Sequence, residues 1–222
     1  MQRVLTLYDT TIGKKAVMAV TGLMLLGFVI GHMLGNLQVY LGPQQLNGYA
    51  EKLHSLGPLL WMVRVVLLTA FVIHIWSALA LIWVSWKARD RGYRRREYIA
   101  TGYAARTMKY SGPLVLLFVG YHLVHFTYPG VAMDVGYQHS ATDVYANVVG
   151  GFSVPLVSAL YVAAQAVLGL HLYHGAWSLL QTLGLSHPRY DEWLRGLARA
   201  VAVVVVIGNI SIPLAVLAGL VR

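Results

Sequence analysis

The chain has 222 residues, 58% of them hydrophobic and only 11% charged, with no cysteine and a formal net charge of +9. Soluble domains average about 25% charged residues, so this composition, with a mean hydropathy of +0.62, excludes that class and points to a polytopic membrane protein. The absence of Cys excludes structural disulfides, thiolate-held iron–sulfur clusters and cysteine zinc sites on this chain.

Lys14 and Lys15 precede the first apolar run, which is too long for a cleavable secretory signal and reads as a span. Crossing a bilayer as a helix takes roughly 20 residues. Five runs meet that need: residues 16–41, 58–86, 110–128, 152–180 and 197–221. The dipeptides Gly57-Pro58 and Pro129-Gly130 punctuate span boundaries. Pro155 and Pro213 fall inside predicted spans, where a neighbouring helix can satisfy the freed backbone groups. Trp83, Trp86, Trp177 and Tyr110 suit an interfacial aromatic belt. No connection is long enough for a second domain, so residues 1–222 read as one all-α bundle of five transmembrane helices.

The basic residues set the direction. Fourteen of the 17 fall on one side: in the N-terminal arm (Arg3, Lys14, Lys15), the second connection (residues 87–109) and the fourth (Arg189, Arg195, Arg199). The loop 128–151 on the other side has no Lys or Arg, but holds Asp134 and Asp143. The positive-inside rule therefore puts the N-terminus in the cytoplasm and the C-terminus outside. Such a face sets topology and attracts anionic membrane lipid. Arg91, Arg94, Arg95 and Arg96 are denser than topology requires and suit a docked soluble partner. With the charge so placed, nucleic acid is not an expected partner.

Four histidines lie one apiece in the first four spans: His32, His74, His122 and His171. An ionisable side chain inside a membrane is costly and marks function by default. Imidazole is also the usual protein ligand of haem iron. Counted from the outer ends at 1.5 Å per residue, His32 lies roughly 15 Å deep and His122 roughly 10 Å. His74 lies roughly 24 Å deep and His171 roughly 28 Å. The four sort into an outer pair, His32 with His122, and an inner pair, His74 with His171. Two such levels fit two bis-histidine iron sites stacked across the bilayer. The bland reading makes each His a hydrogen-bonding residue between helices, but four at two matched depths strain it.

Other residues compete or assist. His125 and His174 each lie three residues beyond a preferred ligand and on nearly the same face. Both are expected nearer the membrane boundaries, meeting a propionate, a quinone or the interface rather than buried iron. Arg64 enters near the outer end of the second span, to pair with a haem propionate or to snorkel. Glu51 and His54 are expected in the short outer loop, solvated by default. Small residues flank the histidines at Gly31, Gly35, Ala70, Ala78, Gly120, Gly169 and Gly175, which serves a flat macrocycle or ordinary helix packing.

The stretches GHMLGNLQVYLGP from Gly31, LNGYAEKLHSLGPLLWMVR from Leu46 and HLYHGAWSLLQTLGL from His171 carry a resemblance. Through them nearly the whole chain resembles the dihaem cytochrome b membrane anchor of succinate dehydrogenases and fumarate reductases (complex II), in its single-polypeptide, five-helix form. The resemblance implies a dihaem four-helix core plus a fifth helix. It implies two haem b, with His32 and His122 as axial ligands of the outer and His74 and His171 of the inner. It also implies a flavoprotein subunit and an iron–sulfur subunit on the cytoplasmic face, in a bacterial cytoplasmic membrane. Electrons would pass to a quinone, usually menaquinone, and Glu51 would inherit a proton-exchanging role beside it. One branch of the family carries a glutamate two residues before the fourth-helix ligand, where this chain has Gly169. That departure puts the branch's proton path in doubt here. Competing readings are the dihaem quinol-linked anchor of another respiratory enzyme, and a non-haem, His-containing transporter. The transporter predicts internal repeats or paired broken helices, and the sequence has neither.

Overall fold

In the computed structural model, residues 9–88, 101–128 and 137–222 are described, and all the regular structure among them is helical. The clustered Arg91, Arg94, Arg95 and Arg96, the boundary at Pro129-Gly130 and Asp134 lie outside the described residues.

The first long helix, α1, covers Thr11–Asn36 and starts where the Thr10 hydroxyl accepts the Gly13 N–H at 2.9 Å. A short 3-10 helix, Leu37–Leu41, follows and stops at Gly42, whose φ of 94° an L side chain would strain to adopt. Helix α2 then runs Pro43–Ser55 with proline in its first turn. Gly57 (φ 51°) turns the chain into α3, Pro58–Lys87, again opened by proline. Helix α4 is Tyr103–Phe126 and contains Pro113. A short helix α5, Val144–Phe152, leads to α6, Pro155–Thr182, and α7, Asp191–Leu217, has Pro213 within it.

Four segments are long and apolar enough to cross a membrane: Thr11–Leu41, Pro58–Lys87, Pro155–Thr182 and Asp191–Leu217. The chain is a multi-pass membrane protein. Leu117, Leu156, Trp61 and Trp76 stand 60–80% exposed, as lipid-facing side chains must. The third expected span, 110–128, lies mostly in α4 and overruns its end at Phe126; α4 falls outside this group of four. Its first two turns carry Arg106 and Lys109, leaving a short apolar remainder.

Three sequence expectations need correcting. Pro155 lies in the first turn of α6 instead of inside a span, so the break falls at Ser153 and Val154, and Phe152 ends α5. The stretch expected as an outer loop around Glu51 is α2. The loop 128–151 contains most of α5, whose N-terminus Asp143 caps by accepting the Ala146 N–H at 2.9 Å.

In packing order the long helices run α3, α1, α6, α4, with α7 against α6 and α1. Helix α7 is seated by close approaches. The Asn209 amide donates to Gln165 Oε1 on α6 at 3.1 Å, and Gly208 lies against Met33 Sδ on α1. Polar pairs and glycine contacts of this kind hold helices together where lipid supplies no hydrophobic driving force. Helices α2 and α5 cap one end around Val39, Leu46, Phe152 and Val216. The Asn47 side chain joins them, donating to Asp143 Oδ1 at 3.0 Å and accepting the Tyr145 N–H at 2.9 Å. The opposite end carries cations laid on aromatic rings: Lys87 on Trp83, Lys109 on Tyr110, Arg195 on Trp177.

Candidate functional site

The helices present the four histidines in two matched sets. His32 and His122 each stand four residues before the last residue of their helices, α1 and α4. His74 and His171 each stand sixteen residues beyond the proline that opens α3 and α6. Sequence counting had set the inner two at unequal depths because it started the fourth span at Phe152; the start at Pro155 makes them equal.

Their rings meet in the same sets. The centroids of His32 and His122 are 5.7 Å apart with planes at 85°, and those of His74 and His171 are 6.5 Å apart at 63°. Each set joins helices that are not packing neighbours among the described residues. α3 and α6 both lie on α1, and α1 and α4 both lie on α6.

Hydroxyl and carbonyl groups orient three of the rings. His74 Nδ1 lies 3.2 Å from the Met18 carbonyl and 3.3 Å from Thr21 Oγ1, while Thr21 donates its own proton to the Val17 carbonyl at 2.8 Å. Nδ1 is therefore the protonated nitrogen of His74, and Nε2 keeps its lone pair. His171 Nδ1 makes a longer contact, 3.4 Å, with Ser111 Oγ. His122 Nδ1 lies 3.2 Å from the Tyr161 hydroxyl. His32 differs: its Nε2 accepts from the Asn36 amide at 3.1 Å. A metal would take His32 through Nδ1 or displace that amide.

Thr21 and Ser111 escaped the sequence reading, yet a signal was there. Each precedes a histidine of the other pair, His32 and His122, by eleven residues on its own helix. Eleven residues are three helical turns, so hydroxyl and imidazole share a face and are separated by roughly 16 Å along the axis. That spacing measures the distance between the two levels.

The pairs suit haem on three counts. Two imidazoles on opposite sides of one metal stand about 6 Å apart between ring centres, given metal–nitrogen bonds of about 2 Å. Two ligands complete a metal whose other positions a macrocycle fills, whereas a bare zinc ion takes four. One turn beyond His74, the inner pair also has a buried polar atom without a partner, Ser77 Oγ. Of the glycines singled out by sequence, Gly31, Gly120 and Gly175 would bring an added Cβ to within 4 Å of nothing. Gly35 instead admits the ring of Tyr49, and Gly169 admits Val206 so closely that no side chain fits there.

The remaining candidates are placed as follows. His125 is 1% exposed and packed among Tyr121, Phe126, Tyr137 and Tyr161. This corrects the expectation that it approaches the interface: α5 covers it, with Gly151 against its ring. Burial, and then the neighbouring Tyr121, push the Tyr137 phenol up to about 12, so it stays a donor to the His125 carbonyl at 3.0 Å. His174 is half-buried near the cationic end. Arg64 is exposed, with its guanidinium 5.0 Å from the centre of the Trp61 ring. Glu51 is exposed on α2, a helix that Tyr49 pins to α1 at Gly35, one turn beyond His32. His54 is exposed too, its Nδ1 donating to the Ala50 carbonyl at 2.8 Å.

Comparison of the chain with protein-family models, with curated proteins and with solved structures finds no match.

Proposed function

We propose that the chain is the membrane-anchor cytochrome b subunit of a succinate:quinone oxidoreductase of the bacterial cytoplasmic membrane. The observation that carries this reading is the pair of facing histidine sets, His32 with His122 and His74 with His171, three helical turns apart. In this reading α4 is a fifth span, the N-terminus and the cationic end face the cytoplasm, and the capped end and C-terminus face outward.

Two b haems supply one-electron redox chemistry when bound. His74 and His171 would hold the inner one and His32 and His122 the outer. The Met18 carbonyl and Thr21 fix the Nδ1 proton of His74, leaving its Nε2 as donor atom. Arg64, near the opening turn of α3, would meet a propionate by exchanging its place over Trp61. The cationic end would receive an iron–sulfur subunit fed by a flavoprotein subunit, which the lack of Cys on this chain requires of any cluster. Quinone, menaquinone in this reading, would react near the outer haem beside α2, with Glu51 exchanging protons.

The test is haem stoichiometry in purified native complex. Two haem b per chain by pyridine haemochrome are expected, together with co-purifying flavoprotein and iron–sulfur subunits. His74→Ala or His171→Ala should remove one haem, and His32→Ala or His122→Ala the other. One haem or none in the wild-type chain overturns the reading.

A further inference from the structure

Tyr161 of α6 is 5% exposed, and its hydroxyl touches two imidazoles from the same face of α4. It lies 3.2 Å from His122 Nδ1 and 2.9 Å from His125 Nδ1. A phenol has one proton to give and can accept in return. If His122 donates its Nδ1–H to the phenol and the phenol donates to His125 Nδ1, His122 keeps a bare Nε2 and His125 carries its proton on Nε2. The reverse order bares Nε2 of His125 and protonates that of His122.

The surroundings choose between the two. His125 Nε2 faces Gly151, where even a Cβ would stand 3.1 Å away, so no macrocycle can approach it. The ring of His122 instead lies 5.7 Å from that of His32, its partner in the outer pair. The Tyr137 hydroxyl holds the His125 backbone carbonyl, and the Tyr121 ring stacks on the His125 imidazole at 5.5 Å, so that ring cannot swing into the place of His122.

Building on the two-haem reading, we infer that Tyr161 is the positioning residue of the outer site: by taking the Nδ1 proton of His122 and giving its own to His125, it sets which of two adjacent imidazoles offers iron a lone pair. In this order each imidazole carries one proton. An Nδ1–H that donates to an acceptor makes the ligand more electron-rich, which favours oxidised iron and holds the potential down. The order matters only while His125 accepts.

Potentiometric titration of the α-bands in membranes holding the whole chain tests this. Tyr161→Phe keeps the ring that packs on Phe118 and Phe152 and removes only the hydroxyl. The outer haem should shift to higher midpoint potential while the inner haem stays at its wild-type value. A second comparison covers the case in which Tyr161→Phe loses the outer haem. His125→Leu, which leaves the phenol proton without its acceptor, should raise the outer potential, whereas His125→Gln, which keeps an acceptor oxygen, should leave it near wild type. Both haems present in Tyr161→Phe with an unmoved outer potential overturns the inference. So does an unmoved outer potential in His125→Leu, or one shifted equally by Leu and Gln. Absence of haem from the wild-type chain is a separate outcome, overturning the function and this inference with it.

Discussion

His74 Nδ1 lies 3.2 Å from the carbonyl oxygen of Met18, which ties the imidazole of α3 to the backbone of α1. The next turn of α1 presses on the same ring. A Cβ added at Gly22 would stand 3.2 Å from His74 Cε1, closer than an unstrained contact allows. Gly22→Ala should therefore tilt the ring. Overpacking of this kind costs about 1–3 kcal/mol, or about 5- to 150-fold in the hold on the inner group. Gly27→Ala on the same helix, where a Cβ meets nothing within 4 Å, is the control. Haem content and redox titration of the two variants check it: the inner haem should weaken in Gly22→Ala alone.

Asn36 competes for the nitrogen that its neighbour His32 would offer a metal, with its amide 3.1 Å from Nε2. Asn36→Ala should let the haem-free chain take up its outer haem at lower haemin concentration. The readout is optical titration of the apoprotein, with the inner site filling as in wild type. Weaker uptake at the outer site would show that the amide orients His32 instead of masking it.

Asp143 links the cap to pH. The Ala146 N–H, and then the Asn47 side chain, hold its carboxyl below its ordinary value of 3.8. A carboxyl depressed on folding stabilises the native state above its unfolded pKa, and that contribution is lost as pH falls through the native value. The join between α2 and α5 should thus hold across neutral and mildly acidic pH and loosen below about 3.8. Hydrogen exchange at the Ala146 and Tyr145 amides should rise there ahead of the long helices. Asp143→Ala should give the same fast exchange at neutral pH.

Glu51 is the carboxylate on α2, the helix pinned beside the turn that follows His32. If quinone reacts there, Glu51→Gln should slow quinone turnover sharply while sparing both haem spectra and the transfer of electrons from succinate to artificial acceptors. Electrons reaching that end cross the membrane dielectric, and one charge crossing fully is worth about 2.3 kcal/mol per 100 mV. Turnover should therefore respond to an imposed membrane potential. Wild-type turnover in Glu51→Gln would make it a solvated acid, and indifference to potential would move the quinone to the cationic end.

The partnership of the histidines was legible because it depends on depth, and depth follows from residue counts along straight helices. The start of α3 was legible for a related reason, since Gly57-Pro58 is local backbone chemistry. Other features depend on tertiary contacts that no window of sequence contains. Helix α2 was taken for a loop because its polar composition hides one buried anchor, Leu46 at 2% exposure. Helix α5 is short, and its start depends on Asn47, nearly a hundred residues earlier in the chain. Pro155 misled because proline opens a helix as readily as it interrupts one. The burial of His125 follows from Tyr137 and Gly151, which both lie beyond the end of α4, so spacing on α4 alone could not reveal it.

The equal offset of His74 and His171 from their opening prolines divides the chain into places that tolerate insertion and places that do not. One residue added between Pro58 and His74, or between Pro155 and His171, would turn the imidazole by about 100° and move it by about 1.5 Å. It would then face lipid or a neighbouring helix in place of its partner. The same insertion after Leu183, in the connection before α7, would alter neither count. Length variation among natural versions of this protein should therefore collect in the connections, while these two sixteen-residue intervals stay free of gaps.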